Sequence, residues 1–214
     1  MKQVISIDGP AASGKSSAAK RLAKQLGWGF VNSGEFYRSV TWSMLKSKVD
    51  VNMPAAIVGA TVQLKLDGEI VDGLSRVLVD GEVVPVDELS TPDVNDAVSK
   101  VARIPEVREM VVARLRALAD AEPVVMEGRD IGSVVFPETR YKFYVDASEE
   151  VRQQRRAAQG LTDQISQRDK ADSQRKSSPL KVPDGAVVID SSEMTLEEVV
   201  AAIVERLAEA GFEA

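Results

Sequence analysis

The sequence predicts a three-layer α/β fold on a five-stranded parallel sheet, with a small antiparallel β insertion. Three observations carry that prediction. Near the N-terminus an apolar run leads into a glycine-rich stretch, residues 9–16, and then into an amphipathic helical pattern. Five short apolar runs are separated mostly by helical patterns, the alternation expected of a parallel sheet covered by helices. Between the second and third runs, two Asp-Gly dipeptides sit among β-type residues, a hairpin signal.

The five runs are residues 4–7, 29–31, 124–126, 142–145 and 186–189, followed directly by Asp8, Asn32, Glu127, Asp146 and Asp190. In open α/β sheets ligands bind outside the carboxyl ends of the strands. These five polar residues are therefore expected along one edge, although Asp146 and Asp190 could equally cap the next helix. Residues 15–26 place Ala19, Leu22, Ala23 and Leu26 on one helical face, with Gly27 set to end the helix. The insertion spans about 61–86, where QLKLDGEIV and RVLVDGEVVPV carry the Asp-Gly pairs. From 151 to 181 the chain turns polar and basic, with Arg152, Arg155, Arg156, Arg168, Arg175 and Lys181. Thr195-Leu-Glu-Glu198 is a capping box, and Leu196, Val200, Ile203 and Leu207 form the inner stripe of the helix it opens. The length of 214 residues fits one domain, 1–214. Its core is expected at about 1–50, 97–150 and 182–214, the insertion at about 58–96 and a basic segment at about 151–176.

Composition narrows the chemistry. The net charge of −6 argues against a large nucleic-acid surface. With no Cys and no His, disulfides, thiolate zinc sites, Cys nucleophiles and a His general base are excluded. No run approaches the roughly 20 apolar residues of a membrane span. The first strand begins almost at once, leaving no room for a signal peptide, so a cytoplasmic protein is expected.

The stretch GPAASGKS matches G-x-x-x-x-G-K-[ST]. In such a loop successive backbone N–H groups point at phosphate oxygens, and the N-terminus of the next helix favours anions. Gly9, Pro10, Ala11, Ala12, Ser13, Gly14, Lys15, Ser16 and Ser17 are thus expected around ATP. Lys15 would meet the β- and γ-phosphates, and the Ser16 hydroxyl would ligate Mg²⁺. Glu127 and Asp8 are further candidates for a metal-bound water, or for orienting the loop.

Three later motifs supply a facing site. NSGEFYR, 32–38, puts Arg38 soon after a strand-end Ser-Gly turn. MEGRDIGSVVFP, 126–137, puts Arg129 and Asp130 after a strand and a glycine; Arg suits a phosphate through its fork of donors. RDKADSQR, 168–175, places Arg168, Asp172 and Arg175 on one face if it is helical. Spacing alone would make that last group a surface ladder.

In this order, with VSKVARIPEVR between them and RKSSPL after them, the motifs resemble the bacterial-type cytidylate kinases, P-loop nucleoside monophosphate kinases. The resemblance runs essentially end to end. It implies a three-layer P-loop kinase fold with a short Arg-rich lid at about 151–176, and transfer of the γ-phosphoryl of ATP to CMP or dCMP with Mg²⁺; a monomer is expected. It further implies Ser33, Ser99, Arg108 and Asp130 around the acceptor, the last three on cytosine. Arg38, Arg129 and Arg175 would hold the acceptor phosphate, Asp172 and Arg168 would meet the ribose, and Arg155 and Arg156 would be lid arginines. Lys15, Arg129, Arg155 and Arg175 are the residues expected to act in transfer. Asn32 stands where the family often has Asp, and residues 157–167 are shorter than many of its lids.

Two rivals arise from the same residues. A kinase of the same fold could act on another small acceptor, such as UMP, AMP or shikimate. Uracil presents a carbonyl where cytosine presents an amine, so an Asp130 that reads the base would repel it. A GTPase switch would need a guanine-reading loop; Asp169-Lys170-Ala171-Asp172 lacks the leading Asn and a preceding apolar strand.

Overall fold

The computed structural model describes residues 3–158, 169, 172, 173, 178 and 180–212. Strand β1, Val4–Asp8, is buried throughout, as a strand covered on both faces must be. The glycine-rich loop leads to α1, Lys15–Leu26, which ends on Gly27 at φ 67°. Strand β2, Gly29–Asn32, passes directly into α2, Ser33–Lys46, where the Asn32 side chain accepts from Gly34 N–H at 3.0 Å. Helix α3, Pro54–Gln63, precedes β3, Leu66–Val71, β4, Leu74–Val79, and β5, Glu82–Val83. Helices α4, Pro92–Ala102, and α5, Pro105–Ala121, each start on a proline, which suits a first helical turn. Strand β6, Val124–Gly128, gives way to a π-type turn, Ile131–Val135, and then to β7, Tyr141–Asp146. Helix α6, Glu149–Ala158, strand β8, Val187–Asp190, and helix α7, Leu196–Glu209, complete the described chain. The predicted capping box of α7 is present.

The five expected strands run parallel in the order β2-β6-β1-β7-β8. The insertion departs from expectation. Its strands do not stand apart from the main sheet: β4 joins β2 in parallel through Phe30 and Leu74. The result is a mixed eight-stranded sheet among the described residues.

One hairpin turn also sits elsewhere than the sequence suggested. Asp67-Gly68 lies inside β3, opposite Leu78 and Val77. The reversal is made by Asp72 and Gly73, with φ of 53° and 74°. Gly68 serves close approach instead: a Cβ there would lie 2.8 Å from the Phe36 ring. The second pair, Asp80-Gly81, does turn the chain, with φ of 54° and 86°.

Neighbouring residues along each central strand face opposite sides of the sheet. Val4, Val31, Val124 and Met126 pack with α2, α4, α5 and the hairpin. Ile5, Ile7, Phe30 and Val125 pack with α1 and α7. The carboxyl ends of β1, β2 and β6 thereby open onto one edge, where the sequence motifs converge. No helix among the described residues is long and apolar enough to cross a membrane.

Candidate active site

The phosphate loop is held against the sheet by its own backbone requirements. A Cβ at Gly9 would overlap the Val145 carbonyl oxygen, so the loop lies on the end of β7 as only glycine permits. Gly14 has φ 89°, and Ala12 takes φ 59°, a left-handed conformation unusual for a side-chain-bearing residue. Lys15 is buried; its Nζ donates to the Pro10 carbonyl at 3.3 Å and lies 3.6 Å from Glu127 Oε2. Burial pulls its pKa down to about 8, against the opposing pull of Glu127. Ser16 Oγ donates to Glu127 Oε1 at 2.8 Å. Glu127 thus ties Lys15 and Ser16 to the end of β6.

Asp8, at the end of β1, faces the turn after β6. Its two carboxylate oxygens accept the N–H groups of Ile131 and Gly132, each at 2.7 Å. This fixes the turn after β6 and with it the direction of Arg129 and Asp130. Burial raises the Asp8 pKa to about 7 despite those hydrogen bonds.

One cleft of about 760 Å³ gathers Lys15, Ser16, Ser33, Arg38, Ser99, Arg108, Arg129, Asp130, Arg155 and Asp172. At one end Arg108 and Asp130 form a buried ion pair. Arg108 Nε donates to Ser178 Oγ at 3.0 Å, its Nη1 to the Ala102 carbonyl at 3.2 Å, and its guanidinium lies 5.2 Å from the Tyr37 ring centre. In the middle, Arg129 Nη1 donates to the Gly9 carbonyl and Nε to Asp172 Oδ2, both at 2.9 Å. Burial works against the Arg129 charge, yet the carboxylates of Asp172, Asp169 and Glu127 together offset it and the pKa is raised. Arg38 Nη1 donates to the Leu89 carbonyl and to Asn95 Oδ1, each at 2.8 Å. These contacts tie it to α4 and to the turn that precedes it.

At the other end, Arg155 donates to Ser191 Oγ at 3.0 Å and to its carbonyl at 2.7 Å. Ser191 Oγ in turn donates to the Ser13 carbonyl at 2.8 Å. Met194, Leu196 and Val199 form an apolar wall beside Arg155 and Arg156. Asp146 and Asp190 cap their own turns, accepting from Ala147 N–H and Ser192 N–H. Arg168 and Arg175 lie outside the described residues, as does most of the segment between them.

The family model for cytidylate kinase matches residues 5–209. The chain belongs to the cytidylate kinase family. A cytidylate kinase of Caldanaerobacter subterraneus is 40% identical over 216 residues, covering 95% of this chain and 93% of its own. One from Enterococcus faecalis is 39% identical over 220 residues, covering 98% and 97%. The fold is also that of TT1252 from Thermus thermophilus, with a TM-score of 0.50, 20% identity and 96% and 98% of the two chains covered.

Several residues in or beside this kinase's cleft carry no motif signal of their own. Tyr37 sits inside SGEFYR, and its place beside Arg38 gives no hint that its ring lies against Arg108. Ser191 directly succeeds the strand-end Asp190, one place beyond the polar residue that the strand pattern marks. Arg152 is one of a run of arginines, and only its burial sets it apart.

Proposed function

We propose that the chain transfers the γ-phosphoryl group of ATP to CMP or dCMP, giving ADP and CDP or dCDP, as a cytoplasmic monomer. The observation that carries this reading is the single cleft in which Lys15 faces the Arg108–Asp130 pair across Arg129. A phosphate loop at one end and a buried polar pocket at the other make a site for two nucleotides meeting phosphate to phosphate.

Ser33, Ser99, Arg108 and Asp130 are assigned to the acceptor, with Asp130 accepting the cytosine amine and Arg108 holding the Asp130 carboxylate in place. Arg38, Arg129 and Arg175 are assigned to its phosphate, and Asp172 and Arg168 to its ribose. The phosphate oxygen of the acceptor is ionised at neutral pH, so no general base is required. Phosphoryl transfer depends mainly on alignment and on neutralising charge in a loose transition state. Lys15 and Arg129 are assigned to that neutralisation, and Arg155 to covering the donor as part of a lid that excludes water.

Ser16 Oγ and the Glu127 carboxylate, 2.8 Å apart at the loop, form an all-oxygen set that suits Mg²⁺. Ser16 would hold the ion, with Glu127 orienting it, and the ion would supply charge neutralisation at the donor phosphates.

An acceptor screen tests the assignment. ADP formation should depend on CMP or dCMP and be far slower with UMP or AMP. Comparable turnover of UMP would remove cytosine from the reading, and steady ADP formation without any acceptor would remove transfer itself.

A further inference from the structure

Ala11 is held on both sides of its peptide by groups from outside the phosphate loop. Its N–H donates to Asp169 Oδ1 at 3.2 Å, and its carbonyl accepts from Arg152 Nη1 at 3.2 Å. The same Nη1 is ion-paired with Asp169 Oδ2. Ala11, Arg152 and Asp169 therefore close a ring of three contacts. Arg152 anchors the ring to the sheet, since its Nε donates to the Ala147 carbonyl just beyond β7 at 3.1 Å. The Arg152 residue is only 9% exposed.

The position of the ring in the loop gives it a consequence. Ala12, the next residue, takes φ 59°. A residue with a Cβ stays in that region only where its surroundings hold it. The conformational freedom of glycine is missing from this limb, because Pro10 and two alanines occupy the positions before Ser13. Contacts to Ala11 from outside the loop therefore add to the hold that Gly9 and Ser13 have on the sheet and on Ser191. Asp169 also lies 4.0 Å from Arg129, which places its charge among the cations of the cleft.

We propose that Asp169 is a positioning residue for the donor side of the reaction: with Arg152 it clasps the Ala11 peptide and so holds the phosphate loop in the shape that receives the triphosphate. This rests on the reading that the loop binds the donor. A carboxylate among cations would in the opposite arrangement be a resident anion that ATP must evict. The geometry favours the clasp, because Asp169 meets the loop at Ala11, before the Ala12 reversal, and shares its partner Arg152 with the carbonyl of the same residue. The two arrangements also differ in sign: an evicted anion weakens ATP binding when present, whereas a clasp strengthens it.

The test uses the full chain with Asp169→Asn, Arg152→Gln and the double variant, read by steady-state kinetics and by calorimetric ATP titration without CMP. Asn retains an oxygen for the Ala11 N–H and loses the charge that pairs with Arg152. Each single change is expected to raise the KM and Kd for ATP about tenfold while the KM for CMP stays within about twofold. Because the two residues act as one unit, the double variant should be at most about twofold worse than the poorer single variant. Asp169→Glu, which keeps the charge, should recover most of the ATP affinity. Unchanged or tighter ATP binding overturns the proposal, as does an equal rise in both KM values or full multiplication of the single effects. Lys15→Ala separates this from the reading beneath it. If that variant binds ATP as wild type does, the loop assignment fails; if it does not, and Asp169→Asn is silent, the clasp alone fails.

Discussion

Arg129 donates through Nε to Asp172 Oδ2 at 2.9 Å, and this contact sets its guanidinium between the phosphate loop and the Arg108–Asp130 pocket. With Nη1 on the Gly9 carbonyl, the side chain is held before any substrate arrives. Arg129→Ala should therefore lower kcat on the order of 100-fold, beyond any rise in the KM for CMP. Steady-state kinetics at saturating ATP reads both parameters. An unchanged kcat would remove Arg129 from the transfer step.

The Arg108–Asp130 pair carries the second prediction. Both residues are buried, at 4% and 3% exposure. Removing one partner leaves the other charge uncompensated, a loss of about 3 kcal/mol or more. Asp130→Ala should show that loss in urea unfolding, together with a higher KM for CMP and a narrower gap between CMP and UMP. A variant of wild-type stability that still prefers CMP as strongly would contradict both the burial argument and the base assignment.

Glu35 gives a pH dependence with a definite sign. Its carboxyl pKa is raised from 4.5 to about 7, first by burial and then by Glu127 nearby. The folded state holds this proton more tightly than the unfolded chain, so the stabilisation is complete below about pH 4.5 and is lost as pH rises through 7. Asp8, also raised to about 7, slopes the same way. Glu35→Gln removes one of these two protons from the profile. The fall in unfolding free energy between pH 5 and pH 8 should become shallower, with the variant more stable than wild type at pH 8 by about 2 kcal/mol. Denaturant melts at the two pH values check it, and parallel profiles would refute it.

Gly68 tests the packing of the hairpin on α2. A Cβ at this position would lie 2.8 Å and 2.9 Å from two atoms of the fully buried Phe36 ring. Gly68→Ala should destabilise by about 1–3 kcal/mol through overpacking. Gly81→Ala relaxes into open space but must hold φ 86°, so its cost is conformational. Pairing each with Phe36→Leu separates the causes: relief is expected for position 68 and none for position 81.

Legibility in the sequence tracks the range of the interaction. The parallel strands are readable because burial on both faces forces near-continuous apolar runs, and observed bounds differ from the expected ones by one or two residues. The phosphate loop is readable because its chemistry is packed into eight consecutive positions. Asp67-Gly68 misleads because the same dipeptide can make a turn or admit a neighbouring ring, and only Phe36 decides. The Phe30–Leu74 pairing that draws the hairpin into the sheet is a long-range contact with no local signature. Likewise the ion pairs Arg108–Asp130 and Arg152–Asp169 join residues 22 and 17 positions apart. Nothing in their spacing distinguishes them from solvated charges.

The sheet's two faces give the enzyme an inheritance that can change in halves. Side chains backing the phosphate loop, such as Leu22 and Ile203, belong to one packed interior, while Val101, Leu115 and Phe36 on the other side of the sheet belong to the second. Repacking one interior leaves the contacts of the other in place, so substitutions drawn from opposite faces should be close to additive. A lineage, or a designer, can thus reshape what receives the phosphate while the apparatus that grips it is passed on intact.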